Sequence, residues 1–218
     1  MRIAVLGGSF NPLHIGHLAL AEDVCLSLGY DRILFVPVFC PPHKEMNDAA
    51  GTADRLEMVS RACEGDNRFE AESCEIDRGG VSYTYDTVCF LQKKYSGRLD
   101  GKIGLILGQD LAAEFNKWYR SDRLASETNI ILARRTGYPV GTSPSYINHP
   151  SGGYTGGSVP DSVLLEFPYS HMVLENPVLP ISSTEIRARI AMKKSWRYLV
   201  PDPVYRYIIQ RKLYGYGK

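Results

Sequence analysis

Short apolar runs alternate with longer amphipathic stretches along most of the chain. Residues 2–6, RIAVL, form a largely apolar strand pattern that ends at Gly7 and Gly8. A helical stretch follows over 18–28. A second apolar run, 33–38, comes after the short link Gly29-Tyr30-Asp31-Arg32. Together these pieces make a βαβ unit, whose crossover should be right-handed. The pattern predicts a helix over 53–62, with Thr52 as its cap and Leu56 and Val59 on one face. It predicts another over 84–95, with Val88, Leu91 and Tyr95 near one stripe. Residues 69–76 fit a strand of unusual polarity. Residues 103–107 and 129–133 are unbroken apolar runs, as strands buried on both faces require. A helix is expected over 111–115. The alternation predicts an α/β fold: a Rossmann-like, mainly parallel sheet with helices on both faces.

The rhythm breaks over 137–162, GYPVGTSPSYINHPSGGYTGGSVPDS, where Gly, Pro and Ser crowd together. This segment reads as a flexible insertion in a single domain spanning 1–218. A strand near 172–174 follows. Ser182 and Glu185 then have the spacing of a capping box, which predicts a helix start. Residues 196–200 read as a short turn. Asp202 before Pro203 reads as a helix cap, and Val204, Tyr207 and Ile208 mark the apolar stripe that follows. These last elements define a C-terminal helical subregion over 182–214. No internal repeat is visible.

Composition narrows the function. The 218 residues are 44% hydrophobic, enough for an ordinary core, and the formal net charge is +1. Such a balance provides no overall field for nucleic acid. No apolar run approaches the ~18 residues of a membrane helix, and Arg2 is not followed by an apolar signal region. Five cysteines, at positions 25, 40, 63, 74 and 89, include no CxxC pair. That pattern disfavours a zinc site or a disulfide scaffold, fits a reducing cytoplasm, and leaves most of the thiols as small core residues.

The chemistry concentrates in GGSFNPLHIGH, residues 7–17. A strand, a glycine turn and a helix start form the usual geometry for holding a phosphate. The spacing matches neither GxGxxG nor GxxxxGK[ST]. His14 and His17 are therefore the first suspects, since imidazole can donate a hydrogen bond to a phosphoryl oxygen. Local capping of the helix is the alternative role. A metal site is the other alternative, although no acidic partner of the zinc-hydrolase type lies nearby. Lys44 and His43 lie in a loop after the second strand, on the same C-terminal edge, and could face phosphate or solvent. Ser183, Thr184 and Arg187 stand at a predicted helix start, where hydroxyls and backbone donors can meet an anion or simply cap.

GGSFNPLHIGH resembles the signature of the HxGH nucleotidylyltransferase superfamily, and ISSTEIR resembles its second signature. PPHK, SYT, GQD, the WY pair and ARRTGYP follow in an order similar to that of the bacterial nicotinate-nucleotide adenylyltransferases. The resemblance covers almost the whole chain, to VPDPVYRYI near its end. It implies a Rossmann-like enzyme of NAD biosynthesis that joins ATP to nicotinic acid mononucleotide, giving deamido-NAD and pyrophosphate. It also implies Mg2+ brought with ATP and coordinated by phosphates and water, with no protein metal ligands assigned. Asn11 stands where some relatives have Asp and is not read as a ligand.

The same resemblance distributes the roles. His14, His17, Lys44 and Arg187 would serve catalysis at the phosphates. Gly8, Ser9 and Phe10 would form the close turn, and Gly108 and Asp110 would serve the ATP ribose side. Arg134, Ser183 and Thr184 would also contact the nucleotide, while Arg135 could face solvent. Trp118 would stack on the pyridine ring, with Tyr83 and Thr84 near its carboxylate. Core packing for Trp118, and capping for Asp110 and Thr84, are the competing roles. An enzyme for nicotinamide mononucleotide, a pantetheine-phosphate adenylyltransferase and a non-catalytic nucleotide-binding regulator are the competing functions. The expected partners are small molecules, with neither nucleic acid nor membrane among them; a homo-oligomer is compatible.

Overall fold

The computed structural model describes residues 1–42, 50–134 and 167–217. His43, Lys44, Arg135 and the 137–162 insertion therefore lie outside the described residues. Six strands form one sheet: β1 (Ile3–Gly8), β2 (Arg32–Pro37), β3 (Phe69–Ala71), β4 (Ile103–Gly108), β5 (Thr128–Ala133) and β6 (His171–Leu174). Their order is β3-β2-β1-β4-β5-β6 and every pairing is parallel. This is the doubly wound Rossmann-like arrangement, in which the order reverses between β1 and β4.

Side-chain alternation explains the layers. Ile3 and Val5 of β1 point to one face, with Leu34 and Val36 of β2, and pack on Leu91 and Tyr95. Ala4 and Leu6 point to the other face with Ile33 and Phe35, and pack on Ala21, Val24, Met58 and Val59. Helices α1 (Ile15–Leu28) and α2 (Thr52–Cys63) thus cover one face, and α4 (Thr84–Lys94) covers the other after the short α3 (Cys74–Arg78). Under β4 and β5, Leu105, Leu107, Ile130 and Leu132 pack on Val88, Phe115 and Leu124. The last two residues belong to a 3-10 turn (Phe115–Lys117) and to α6 (Ser121–Glu127). The C-terminal helices α7 (Ser183–Ala191) and α8 (Asp202–Arg211) add Ile186, Ile190, Val204 and Ile208 to the α1/α2 side. Each such buried aliphatic side chain contributes about 1.5–3 kcal/mol.

Several boundaries differ from the sequence reading. Helix α1 starts at Ile15, not at residue 18, because His14 is its N-cap. The expected strand over 69–76 stops at Ala71. Glu72 is buried there and receives Lys94 Nζ at 2.6 Å and the Cys74 N–H at 3.1 Å, turning the chain into α3. The helix expected over 111–115 is instead α5 (Gln109–Ala112), which starts directly at the end of β4 with Gly108 as N-cap. The chain then tightens into the 3-10 turn that buries Phe115. Gly51 caps α2 rather than Thr52, and Pro201 caps α8 with Asp202 as its first helical residue. The Ser182 cap of α7 is as expected, accepting the Glu185 N–H at 3.1 Å. Among the described residues, no helix is long and apolar enough to cross a membrane.

Candidate active site

The C-terminal ends of β1, β4 and β5 open into a cleft of about 570 Å³, at the point where the strand order reverses. Gly8, Ser9, Phe10, His14, His17, Gly108, Asp110, Arg134, Ser183, Thr184 and Arg187 all line it. Eleven residues from four separate stretches of sequence therefore meet at one place.

The β1–α1 turn forms the floor. Phe10 has φ 44 and is 2% exposed, an uncommon conformation held by packing. Its ring lies edge-on to His17 at 5.1 Å and to Phe35 at 5.8 Å. His14 and His17 stack with ring centroids 3.7 Å apart. They occupy the N-cap and third positions of α1 in the reciprocal manner of a capping box. In this arrangement His17 Nδ1 accepts the His14 backbone N–H at 3.1 Å. An accepting Nδ1 leaves the ring proton on Nε2, so Nε2–H is the donor this imidazole can offer a ligand. Capping and lining the cleft thus belong to the same pair. Glycine at position 16 leaves room for this stack, since a Cβ there would stand 3.1 Å from His14 Nδ1 and the ring would have to give way by a few tenths of an ångström.

Helix α7 is docked onto this turn. Ser183 Oγ donates to the Pro12 carbonyl at 2.9 Å, and Arg187 Nη1 donates to the Asn11 carbonyl at 2.9 Å. Arg187 is thereby held at the cleft by a bond to the turn and a 3.4 Å contact to Thr184 Oγ1. Across the cleft, Arg134 follows β5 with its guanidinium 3.8 Å from the exposed Glu175 carboxylate. Its backbone is clamped by Asn176, which accepts the Arg134 N–H at 2.8 Å and donates to the Arg134 carbonyl at 3.0 Å. Asp110 sits in the first turn of α5. Two guanidinium groups and two imidazoles thus face a cleft whose wall also carries one carboxylate, a setting suited to a polyanion.

Tyr83, Thr84 and Trp118 are not in the wall of this cleft. Tyr83 caps α4, and Thr84 is that helix's first residue. The strip before them is tied to the end of β2, since Ser82 Oγ accepts the Phe39 N–H at 3.1 Å and the Ser82 N–H reaches the Cys40 carbonyl at 2.8 Å. Trp118 is half-buried, 5.4 Å from the Phe115 ring, and its neighbour Tyr119 lies 4.7 Å from Tyr83. The SYT and WY segments therefore do meet, through Tyr83 and Tyr119. Sequence reasoning missed Asn176, whose only local signal is the Asn-Pro turn dipeptide. It also missed Arg55 and Tyr214, which reach the turn from below. Arg55 Nη1 donates to the Ser9 carbonyl at 2.9 Å, and the Tyr214 hydroxyl donates to Asn11 Oδ1 at 2.9 Å.

A sequence model described as cytidylyltransferase-like matches residues 5–189. A Treponema pallidum protein named "Probable nicotinate-nucleotide adenylyltransferase" is 41% identical over 98% of this chain and 99% of its own length. The Bacillus subtilis nicotinate-nucleotide adenylyltransferase is 33% identical over 98% of both chains. A Plasmodium falciparum nicotinic acid mononucleotide adenylyltransferase, solved with NaAD, superposes with a TM-score of 0.71 over 99% of this chain and 98% of its own, at 18% identity. The chain belongs to the cytidylyltransferase-like family of nucleotidyltransferases and, within it, to the nicotinate-nucleotide adenylyltransferases.

Proposed function

We propose that the cleft at the β1–α1 turn is where this enzyme transfers AMP from ATP to nicotinic acid mononucleotide. The observation that carries the reading is the convergence of His14, His17, Arg134 and Arg187 at the reversal point of the sheet. A phosphate oxygen of the mononucleotide attacks the α-phosphorus of ATP. The bond from that phosphorus to the β-phosphate bridge breaks, and pyrophosphate leaves as deamido-NAD forms. The attacking phosphate is already anionic near neutral pH, so the protein's task is alignment and charge stabilisation. His17 Nε2–H and His14 donate to ATP phosphates, and Arg187 and Lys44 neutralise charge on the transferring and leaving groups. Gly8, Ser9 and Phe10 let the backbone approach closely. Gly108, Asp110 and Arg134 serve the nucleoside side, and Ser183 and Thr184 fix the helix that presents Arg187.

The pyridine end lies with Trp118, Tyr83 and Thr84, at the junction tied to the end of β2. Among the described residues, no group of three or more His, Cys, Asp or Glu side chains could cage a metal. The cleft wall carries a single carboxylate, Asp110, whereas Mg2+ takes a full octahedral set of oxygens, so this lining fits a Mg2+ carried on phosphate oxygens and water. When bound, Mg2+ neutralises charge on the polyphosphate. The five free thiols suit a cytoplasmic enzyme.

Steady-state kinetics with product identification tests this reading. His17→Ala should lower kcat by about 10²–10³, the loss expected for one oriented donor, which exceeds the fold stability lost with its cap to the His14 N–H. Near-normal turnover in the folded variant would remove His17 from the phosphate site.

A further inference from the structure

Arg55 lies on α2, 1% exposed, directly beneath the β1–α1 turn. Among the described residues, no carboxylate comes within ion-pair distance of it, and its buried Nε has no hydrogen-bond partner. Burial pulls its pKa below the ordinary arginine value, with Tyr214 and Glu75 opposing that shift. A cation in this setting carries a desolvation cost that Tyr214 and Glu75 offset only in part.

What the guanidinium does hold is the Ser9 carbonyl, at 2.9 Å. In a trans peptide the following N–H points opposite to the carbonyl, so Arg55 fixes the direction of the Phe10 N–H. Ser9 and Phe10 line the cleft above, while Arg55 does not. The Phe10 N–H is therefore turned away from Arg55 and toward the cleft. A second anchor keeps the turn from rotating. Asn11 Oδ1 accepts both the Ala50 N–H at 3.0 Å and the Tyr214 hydroxyl at 2.9 Å. The positive φ at Phe10 is fixed between these two points.

We propose that Arg55 is a positioning residue for adenylyl transfer: by holding the Ser9 carbonyl down, it aims the Phe10 N–H at the ATP phosphates and places a buried positive charge behind them. The polyanion would supply the close counter-charge that no carboxylate among the described residues gives Arg55. The inference rests on the reading that the polyphosphate binds at this turn, and the test separates the two.

The first measurement uses the native enzyme, labelled with ¹⁵N at phenylalanine and histidine and titrated with pyrophosphate. The Phe10 amide and the His17 ring should both shift. A His17 response without one at Phe10 overturns the role of Arg55, and silence at both overturns the phosphate site itself together with this proposal. The second uses Arg55→Met and Arg55→Lys. In whichever variant folds, KM for ATP should rise about tenfold, the scale of one charge-assisted hydrogen bond, while KM for the mononucleotide stays within about twofold. The pyrophosphate-induced rise in Tm should shrink in parallel. A folded variant with unchanged ATP KM and unchanged pyrophosphate stabilisation makes Arg55 a packing residue and overturns the proposal. Lysine keeps the charge but has no planar fork to grip the carbonyl, so a KM between those of arginine and methionine is expected.

Discussion

An imidazole has two ring nitrogens, and His17 uses one of them on the fold. Its Nδ1 accepts the His14 N–H, which places the ring proton on Nε2, the nitrogen that can donate. Trp118 divides its surface in a similar way. One part of the indole packs near Phe115, and the ring is only half-buried. A half-exposed aromatic next in sequence to Tyr119, whose ring meets Tyr83, suits stacking on a flat heterocycle. Trp118→Ala should therefore weaken mononucleotide binding by about 0.5–1.5 kcal/mol, the usual worth of an aromatic pair beyond buried area. ATP binding should be spared, because Trp118 is absent from the wall of the cleft proposed to hold the phosphates. Calorimetric titration of each substrate into the folded variant checks this. Unchanged mononucleotide affinity would leave Trp118 as a packing residue.

The elements differ in how plainly the sequence announces them. β1, β4 and β5 are buried on both faces, so their apolar runs are continuous and readable. The α7 cap is local, with Ser182 and Glu185 three residues apart, and it too is readable. β3 is harder to read because it is short and its successor Glu72 is buried by a partner on another element, Lys94. The same limit hides part of the site. Tyr214 meets Asn11 across 203 positions, and Arg55 meets Ser9 across 46, so no local pattern can show either bond. His14, His17 and Arg187 were legible because glycine turns and helix starts mark them locally.

The approach to β3 also carries a testable pH dependence. Hydrogen bonds from Arg68 hold the Asp66 carboxyl below the ordinary carboxylate range. Its stabilisation is therefore present above the unfolded carboxylate pKa of about 3.9 and is lost as pH falls through the lower folded value. Both side chains are partly exposed, so the pair is worth about 0–1 kcal/mol after solvent screening. In urea titrations, Asp66→Asn should be less stable than the parent near neutral pH, with the gap narrowing below about pH 4. A gap that stays constant with pH would assign the effect to packing rather than charge.

At the scale of the molecule, the proposed transfer asks two regions to hold two substrates at once. The cleft lined by His14 and His17 lies over the ends of β1, β4 and β5, and the SYT segment is tied to the end of β2. Both are on the C-terminal edge of one sheet, so β1 and β2, paired along their full length, act as a ruler between them. A rigid ruler favours an acceptor that is fixed at both ends, by its phosphate and by its pyridine substituent. Backbone N–H groups at the start of α4 suit a carboxylate, which accepts charge-assisted hydrogen bonds. An amide substituent would present its own NH2 to one of those donors and leave it unmatched. The enzyme should therefore show a higher kcat/KM for nicotinic acid mononucleotide than for the nicotinamide form. A tenfold preference needs only about 1.4 kcal/mol of differential transition-state binding, which one mismatched donor can supply. Competition between the two acceptors at fixed ATP, with both dinucleotide products quantified, measures that ratio directly. A ratio at or below unity would overturn recognition of the acid at this end of the sheet, while the phosphate cleft and its chemistry would stand unchanged.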